Sequence, residues 1–307
     1  MGNAKCCMFA GQGAQAPGMG KDFAQADAGT MELFDRAGEI LGFDLKKICF
    51  EGPAEALTRS DVCQSAIFTV SYAAHKAFRS KFPQVEFACS AGLSLGEWSA
   101  LCAAGALDFE STVKVLSARG KFMQEACDAV PSGMIAIIGA TEEQIETICA
   151  KSGCTVANVN APSQKVLSGS KEEVAAAATA AKEAGVRKAI PLATAGAFHS
   201  KYMQSAKGKL TPVLDEIQFK APRIPVISNI TGKPHSSDPG EIKALMLEQV
   251  TGATNWAADI LFAKESGCGT FVEFGPGKTL SGLVKKIDAS LAAFSVPDLA
   301  SLDALAF

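Results

Sequence analysis

Two hydrophobic rhythms run along this chain of 307 residues. Lys5 to Ala10 is a short apolar run that predicts a strand, and the glycine-rich turn Gly11-Gln12-Gly13-Ala14-Gln15 follows it. Helix-period patterns cover Met31 to Leu41, Gln64 to Phe82, Leu95 to Ala104 and Ser111 to Ala126. Val85 to Cys89 reads as a further strand. Strands alternating with helices predict a mostly parallel α/β sheet.

After Val130-Pro131-Ser132-Gly133 the rhythm changes. A strand is expected at Met134–Gly139, a helix at Glu142–Lys151, and strands at Thr155–Asn160 and Lys165–Ser168. A helix at Lys171–Ala184 and a strand at Arg187–Thr194 complete the set. The order β-α-β-β-α-β predicts a small ferredoxin-like subdomain over 127–198, inserted into a larger domain built from 1–126 and 199–307. The larger unit resumes with helix Ser200–Leu214, strand Pro225–Ser228, helix Pro239–Val250, strand Thr270–Phe274 and a helix after Gly277.

The candidate chemistry sits at Gly92-Leu93-Ser94-Leu95-Gly96, between the expected strand and the helix that begins at Leu95. A serine on such a strand-to-helix turn presents its hydroxyl, and flanking glycines allow a sharp backbone. The pattern fits the nucleophile elbow of an α/β-hydrolase-like catalytic domain and equally a plain Gly/Ser loop. The Leu95 N–H, in the first turn of the helix, would point where an oxyanion forms.

A serine nucleophile needs a base, and the chain has three histidines. His75 lies in a helix and reads as a surface or boundary residue, while His235, in Gly232-Lys233-Pro234-His235-Ser236-Ser237, reads as part of a solvated turn. His199 follows Ala195-Gly196-Ala197-Phe198 at the expected domain junction, a favoured place for a cleft, and by elimination is the candidate base. No acid between Ser94 and His199 is compelling as a triad member; Asp108, Asp128 and Glu183 fall in helices or at the rim of the insert. An amide oxygen could fix the imidazole tautomer instead.

Composition narrows the classes. A net charge of −3 gives no broad basic surface for nucleic acid or an acidic membrane. No apolar run reaches the roughly 20 residues that span a bilayer, and Met1 to Cys7 lacks a signal-peptide core. The Met1-Gly2 start is discounted as an acylation signal because Cys6 stands where Ser or Thr is required. Ten scattered cysteines with no C-x-x-C pair read as small buried hydrophobes in a reducing compartment, not as a metal site. Asn229-Ile230-Thr231 fits a glycosylation pattern but reads as an ordinary loop. Gly11-x-Gly13 and Gly277-Lys278-Thr279 imitate nucleotide-binding loops, yet Pro17, Val272 and Pro276 spoil both, and no cofactor is expected.

Five segments in order carry a family resemblance. They are Phe9-Ala10-Gly11-Gln12-Gly13-Ala14-Gln15, Gly92-Leu93-Ser94-Leu95-Gly96-Glu97, Arg119-Gly120-Lys121-Phe122-Met123-Gln124, Gly196-Ala197-Phe198-His199-Ser200 and Phe271-Val272-Glu273-Phe274-Gly275-Pro276-Gly277-Lys278. The chain resembles the malonyl-CoA:acyl carrier protein transacylase family, the acyltransferases of fatty acid synthesis, from about residue 5 to 290. That resemblance implies Ser94 as nucleophile, His199 as general base and then acid, and Gln249 as the residue whose side-chain oxygen holds the histidine. It implies an oxyanion hole from the N–H groups of Gln12 and Leu95, and Arg119 as the partner of the malonyl carboxylate. By spacing alone Arg119 would be a helix-surface charge. Phe198 resembles the malonyl-selective form. Leu93 and Ala10 depart from common family residues without touching a proposed catalytic atom.

The implied partners are malonyl-CoA and an acidic acyl carrier protein, with Arg187, Lys188, Lys285 and Lys286 as candidate docking charges. The implied setting is a monomer in the bacterial cytoplasm, or in an organelle stroma after removal of a transit peptide. A serine esterase or thioesterase on the same architecture, a polyketide-pathway acyltransferase and an inactive carrier-binding module are the competing functions.

Overall fold

Cys6, Cys7, Met8 and Phe9 are all buried, so the first strand has no solvent face. That is the signature of a strand covered on both sides by helices. The computed structural model describes residues 3–307; the Met1-Gly2 start, discounted above as an acylation signal, lies outside them. Its strands are β1 (Ala4–Phe9), β2 (Cys89–Gly92), β3 (Ser132–Ile138), β4 (Thr155–Ala161), β5 (Gln164–Ser170), β6 (Lys188–Pro191), β7 (Cys268–Phe274) and β8 (Ala292–Val296).

One sheet is parallel, in the order β2-β1-β7-β8. Alternation along β1 divides the core in two. Cys6 and Met8 join a cluster with Ile227, Trp256 and Phe271, whereas Cys7 and Phe9 join one with Phe78, Trp98 and Phe274. Because β1 is central and its neighbours come from distant segments, a crevice opens beyond the carboxyl ends of β1 and β2. Gln12 and Ser94 both lie just past those ends.

The other sheet is antiparallel, in the order β4-β5-β3-β6. Helices Glu142–Ser152 and Lys171–Glu183 cover one face, burying Ile135, Ile137, Ile148 and Leu167. Both helices start at capping boxes, Thr141 with Gln144 and Ser170 with Glu173. Met134, Ala136 and Val166 point the other way, into the core shared with the parallel-sheet layer. The protein is thus a mixed α/β structure with two sheets facing a common crevice.

Two expected strands differ. The run Val85–Cys89 is buried at Val85 and Phe87, but pairing with β1 begins only at Cys89, so the ladder is β2 at Cys89–Gly92. Short apolar runs report burial before they report pairing. Pro225–Ser228 makes only isolated bridges, Ser90 with Val226 and Ile227 with Pro234. Prolines cannot donate to a ladder, which limits its length here. Strand β8 and helix Trp256–Glu265 lie outside the elements expected from the sequence. Among the described residues, no helix is long and apolar enough to cross a membrane.

Helices Ser60–Lys81 and Phe109–Ala129 cross with almost no gap. A Cβ on Gly120 would collide with the Ser60 carbonyl oxygen, so only glycine permits this approach. Gly120→Ala should cost about 1–3 kcal/mol in urea unfolding through overpacking. Gly208→Ala, in helix Gln204–Asp215 with nothing near its Cβ, should cost nothing.

Candidate active site

Ser94 is the single turn residue between Leu93 and the helix Leu95–Ala103, with φ 55° and ψ −104°. The one other described non-glycine residue at positive φ is His199, at φ 56°. Such backbone costs about 1–3 kcal/mol and persists only where its surroundings enforce it. Here they do. A Cβ on Gly92 would overlap the Gly96 carbonyl, and one on Gly96 would overlap Phe9 O, so the elbow packs backbone against backbone.

A residue that sequence reasoning dismissed completes the clamp. Asn229 Oδ1 accepts from the Ser94 N–H at 2.7 Å, and its Nδ2 donates to Gly92 O at 2.8 Å and to Asp259 Oδ2 at 2.7 Å. Its N-glycosylation pattern had pointed to an ordinary loop; Asn229 is instead fully buried. The bridge between Ser90 and Val226 delivers it there. Burial and the coulombic push of Glu97 raise the Asp259 carboxyl well above the usual carboxylate range.

His199 lies across the elbow. Its Nε2 is 2.8 Å from Ser94 Oγ, and its Nδ1 is 2.8 Å from the backbone oxygen of Gln249. A carbonyl can only accept, so Nδ1 carries the proton and Nε2 accepts from the serine hydroxyl. Burial first, then the nearby Arg119 charge, lower the His199 pKa to about 4, leaving the imidazole neutral at physiological pH. The preceding strap is tied down: Ser168 Oγ donates to Phe198 O and Ser132 Oγ accepts from the Ala197 N–H.

The role expected for the Gln249 side chain needs correction. Its backbone oxygen, not its side chain, holds His199. The side chain bridges charges: Oε1 accepts from Arg119 Nη2 at 3.0 Å, while Nε2 donates to Glu97 Oε2 at 2.6 Å and Ser94 O at 2.9 Å. Arg119 is no surface charge; it is 1% exposed. Its Nη2 also donates to Ser94 Oγ at 3.1 Å, and Nη1 to Gln64 Oε1 at 2.7 Å. The close crossing at Gly120 is what sets Arg119 beside Gln64. Burial lowers the guanidinium to about 10, so it stays charged at neutral pH.

His235 is also misplaced by the sequence. It is buried, with Nε2 2.7 Å from Glu97 Oε1, rather than in a solvated turn. His75 is half-buried among the rings of Phe9 and Phe274, as a boundary residue. Gln12 and Leu95 flank Ser94, and neither backbone N–H has an intramolecular acceptor among the described residues. A cleft of about 240 Å³ opens over Ser94, lined by Gln12, Asn158, Asn160, Phe198 and His199. Met134, Val166 and Leu192 form its apolar wall from the antiparallel sheet.

The second nucleotide-like loop has another purpose. Glu273 accepts from the N–H groups of Leu280 and Ser281, so a carboxylate occupies the helix start where a phosphate would sit. Of the cysteines, only Cys149 is not fully buried. Among the candidate docking charges, Lys286 donates to Gln164, a cleft-lining residue, and Arg187 and Lys188 are exposed at the start of β6. Lys285 instead donates to Leu291 O, in the loop between its own helix and β8.

Known proteins share this arrangement of chain. "Malonyl CoA-acyl carrier protein transacylase" of Haemophilus influenzae is 38% identical over 302 residues, covering 97% of this chain and 96% of that protein. The crystal structure of an acyl carrier protein S-malonyltransferase from Vibrio cholerae superposes with a TM-score of 0.93 at 36% identity, over 98% of this chain and 99% of the other. A structure of a type II PKS acyl-carrier protein in complex with its malonyl-transacylase matches with a TM-score of 0.93 at 36% identity, over 98% of each chain. The acyl transferase domain family matches residues 7–294, a span that takes in both sheets and every residue of the elbow, and this chain belongs to that family.

Proposed function

We propose that the protein transfers a malonyl group from malonyl-CoA to the phosphopantetheine thiol of an acyl carrier protein, through an ester on Ser94. One observation carries this: Ser94 Oγ lies 2.8 Å from a neutral imidazole and 3.1 Å from a buried guanidinium. The first supplies a base and the second recognises a free acid group. Both relatives named above and the carrier complex support the substrate pair.

The residues suggest the following chemistry. Ser94 passes its proton to His199 Nε2 as Oγ attacks the thioester carbonyl. The developing oxyanion faces the unpaired N–H groups of Gln12 and Leu95. When the tetrahedral adduct collapses, the C–S bond breaks and the departing CoA sulfur takes the proton back from His199. A carrier thiol then repeats the sequence in reverse, which makes the reaction ping-pong. Acylation turns Oγ into a poor acceptor, releasing Arg119 Nη2 toward the malonyl carboxylate. Phe198 and the apolar wall of Met134, Val166 and Leu192 would hold water away from the ester.

The same reading treats 1–126 and 199–307 as an α/β-hydrolase-like catalytic domain and 127–198 as a ferredoxin-like insert. The strand order β4-β5-β3-β6 and two helices on one face support the latter. Ten free thiols fit a reducing compartment.

Radioactive malonyl-CoA should label the wild type but not Ser94→Ala. Arg119→Ala should lose about 2–4 kcal/mol of malonyl transfer, roughly 30- to 700-fold, and distinctly less of acetyl transfer, which forfeits only the contact of Arg119 with Ser94 Oγ. An esterase acting on neutral esters would show no such selectivity. The base must be neutral to work, so kcat/KM for malonyl-CoA should rise with pH along a limb centred well below 6.5, near 4. Removing the Arg119 charge should move that limb to higher pH, because the guanidinium disfavours the imidazolium. Lys286→Glu should weaken carrier binding severalfold at low salt and leave malonyl-CoA hydrolysis unaffected, whereas Lys285→Glu should do little.

A further inference from the structure

We infer that Glu97 is a positioning residue for both halves of the reaction, the displaced counterpart of a triad acid. It is 1% exposed and lies in helix Leu95–Ala103, three positions beyond the nucleophile. This inference rests on the proposed function.

Three donors converge on its carboxylate. His235 Nε2 meets Oε1 at 2.7 Å; Gln249 Nε2 and the Asn229 N–H meet Oε2 at 2.6 Å and 3.3 Å. Two of these donors lead straight to reacting groups. Gln249 presents its backbone oxygen to His199 Nδ1, fixing the tautomer. Asn229 presents Oδ1 to the Ser94 N–H, fixing the strained turn. One carboxylate therefore fastens the base through Gln249 and the nucleophile through Asn229, without touching either.

Charge agrees with this geometry. Glu97 is the one group whose coulombic effect favours the charged form of buried Arg119. The Gln249 amide bridges the two: its oxygen faces a group that only donates, and its nitrogen faces groups that only accept. No flipped orientation satisfies those partners. A carboxylate in direct contact with His199 would raise its pKa and offset the neutrality that base catalysis needs. Set back by one amide, Glu97 orients the imidazole without that effect.

The test uses the full chain with active sites titrated by a serine-reactive fluorophosphonate, so that misfolded protein is not counted. Glu97→Gln keeps the shape but places an N–H against donors. Its kcat per titrated site for malonyl transfer should fall at least tenfold, with KM for malonyl-CoA within about twofold of wild type. Glu97→Asp should recover at least threefold of that loss. Gln249→Met keeps the backbone oxygen and removes only the bridge, and should lose kcat similarly. If the link runs through the amide, the double variant should be no more than about twofold worse than the weaker single.

Turnover per titrated site within twofold of wild type for Glu97→Gln would overturn the inference. If that variant does not fold, the same result for Gln249→Met overturns it, as would fully multiplicative losses in the double variant. Malonyl labelling of wild-type Ser94 in the same assay is the separate check on the proposed function.

Discussion

One backbone turn carries the site. Ser94 can present its hydroxyl to the crevice only at a φ that side-chain-bearing residues avoid, and nothing in the pentapeptide alone would hold it there. Three constraints do: the missing side chains of Gly92 and Gly96, the packing of Gly96 on Phe9 O, and Asn229 clasping the turn from both ends. The first two are local. The third arrives from far along the chain, brought by a two-residue bridge beside β2. The cost of the strained conformation is thus offset by buried hydrogen bonds outside the motif.

Around that turn the electrostatics are arranged by distance. A guanidinium sealed from water lies against the Ser94 hydroxyl and depresses the His199 imidazole, which is held neutral. The balancing carboxylate is kept one amide away, and Gln249 separates the two charges while serving both. The Ser94 hydroxyl accepts from Arg119 and donates to His199, and each hydrogen bond polarises the other.

Some of this was legible in the residues themselves. Helix periods, short apolar runs and the β-α-β-β-α-β order locate most elements of the antiparallel unit, because their signals lie within a few positions of one another. The elbow was legible for the same reason: strand, glycine, serine, glycine and helix are contiguous. His199 was reached by elimination among three histidines, which composition alone permits. Arg119 was not, since helix spacing suggests a surface charge; only the close crossing at Gly120 buries it. Asn229 and His235 do lie in loop and turn backbone, but the first was misread as ordinary and the second as solvated, because turn-forming surroundings hide the fact that their side chains fold back into the core.

The order of residues therefore determined where the chain bends, which segments are helical or extended, and which serine and histidine could react. Tertiary structure alone decided who holds them: that Gln249 grips His199 by its backbone, that Asn229 clamps Ser94, and that Glu97 sits beneath both. The reason is range. Helix caps and elbows are settled by neighbours a few residues apart, whereas these hydrogen bonds join positions more than 100 residues apart for Ser94–Asn229 and Glu97–Gln249, and 50 apart for His199–Gln249. No local pattern records partners that meet only when two sheets close over one crevice.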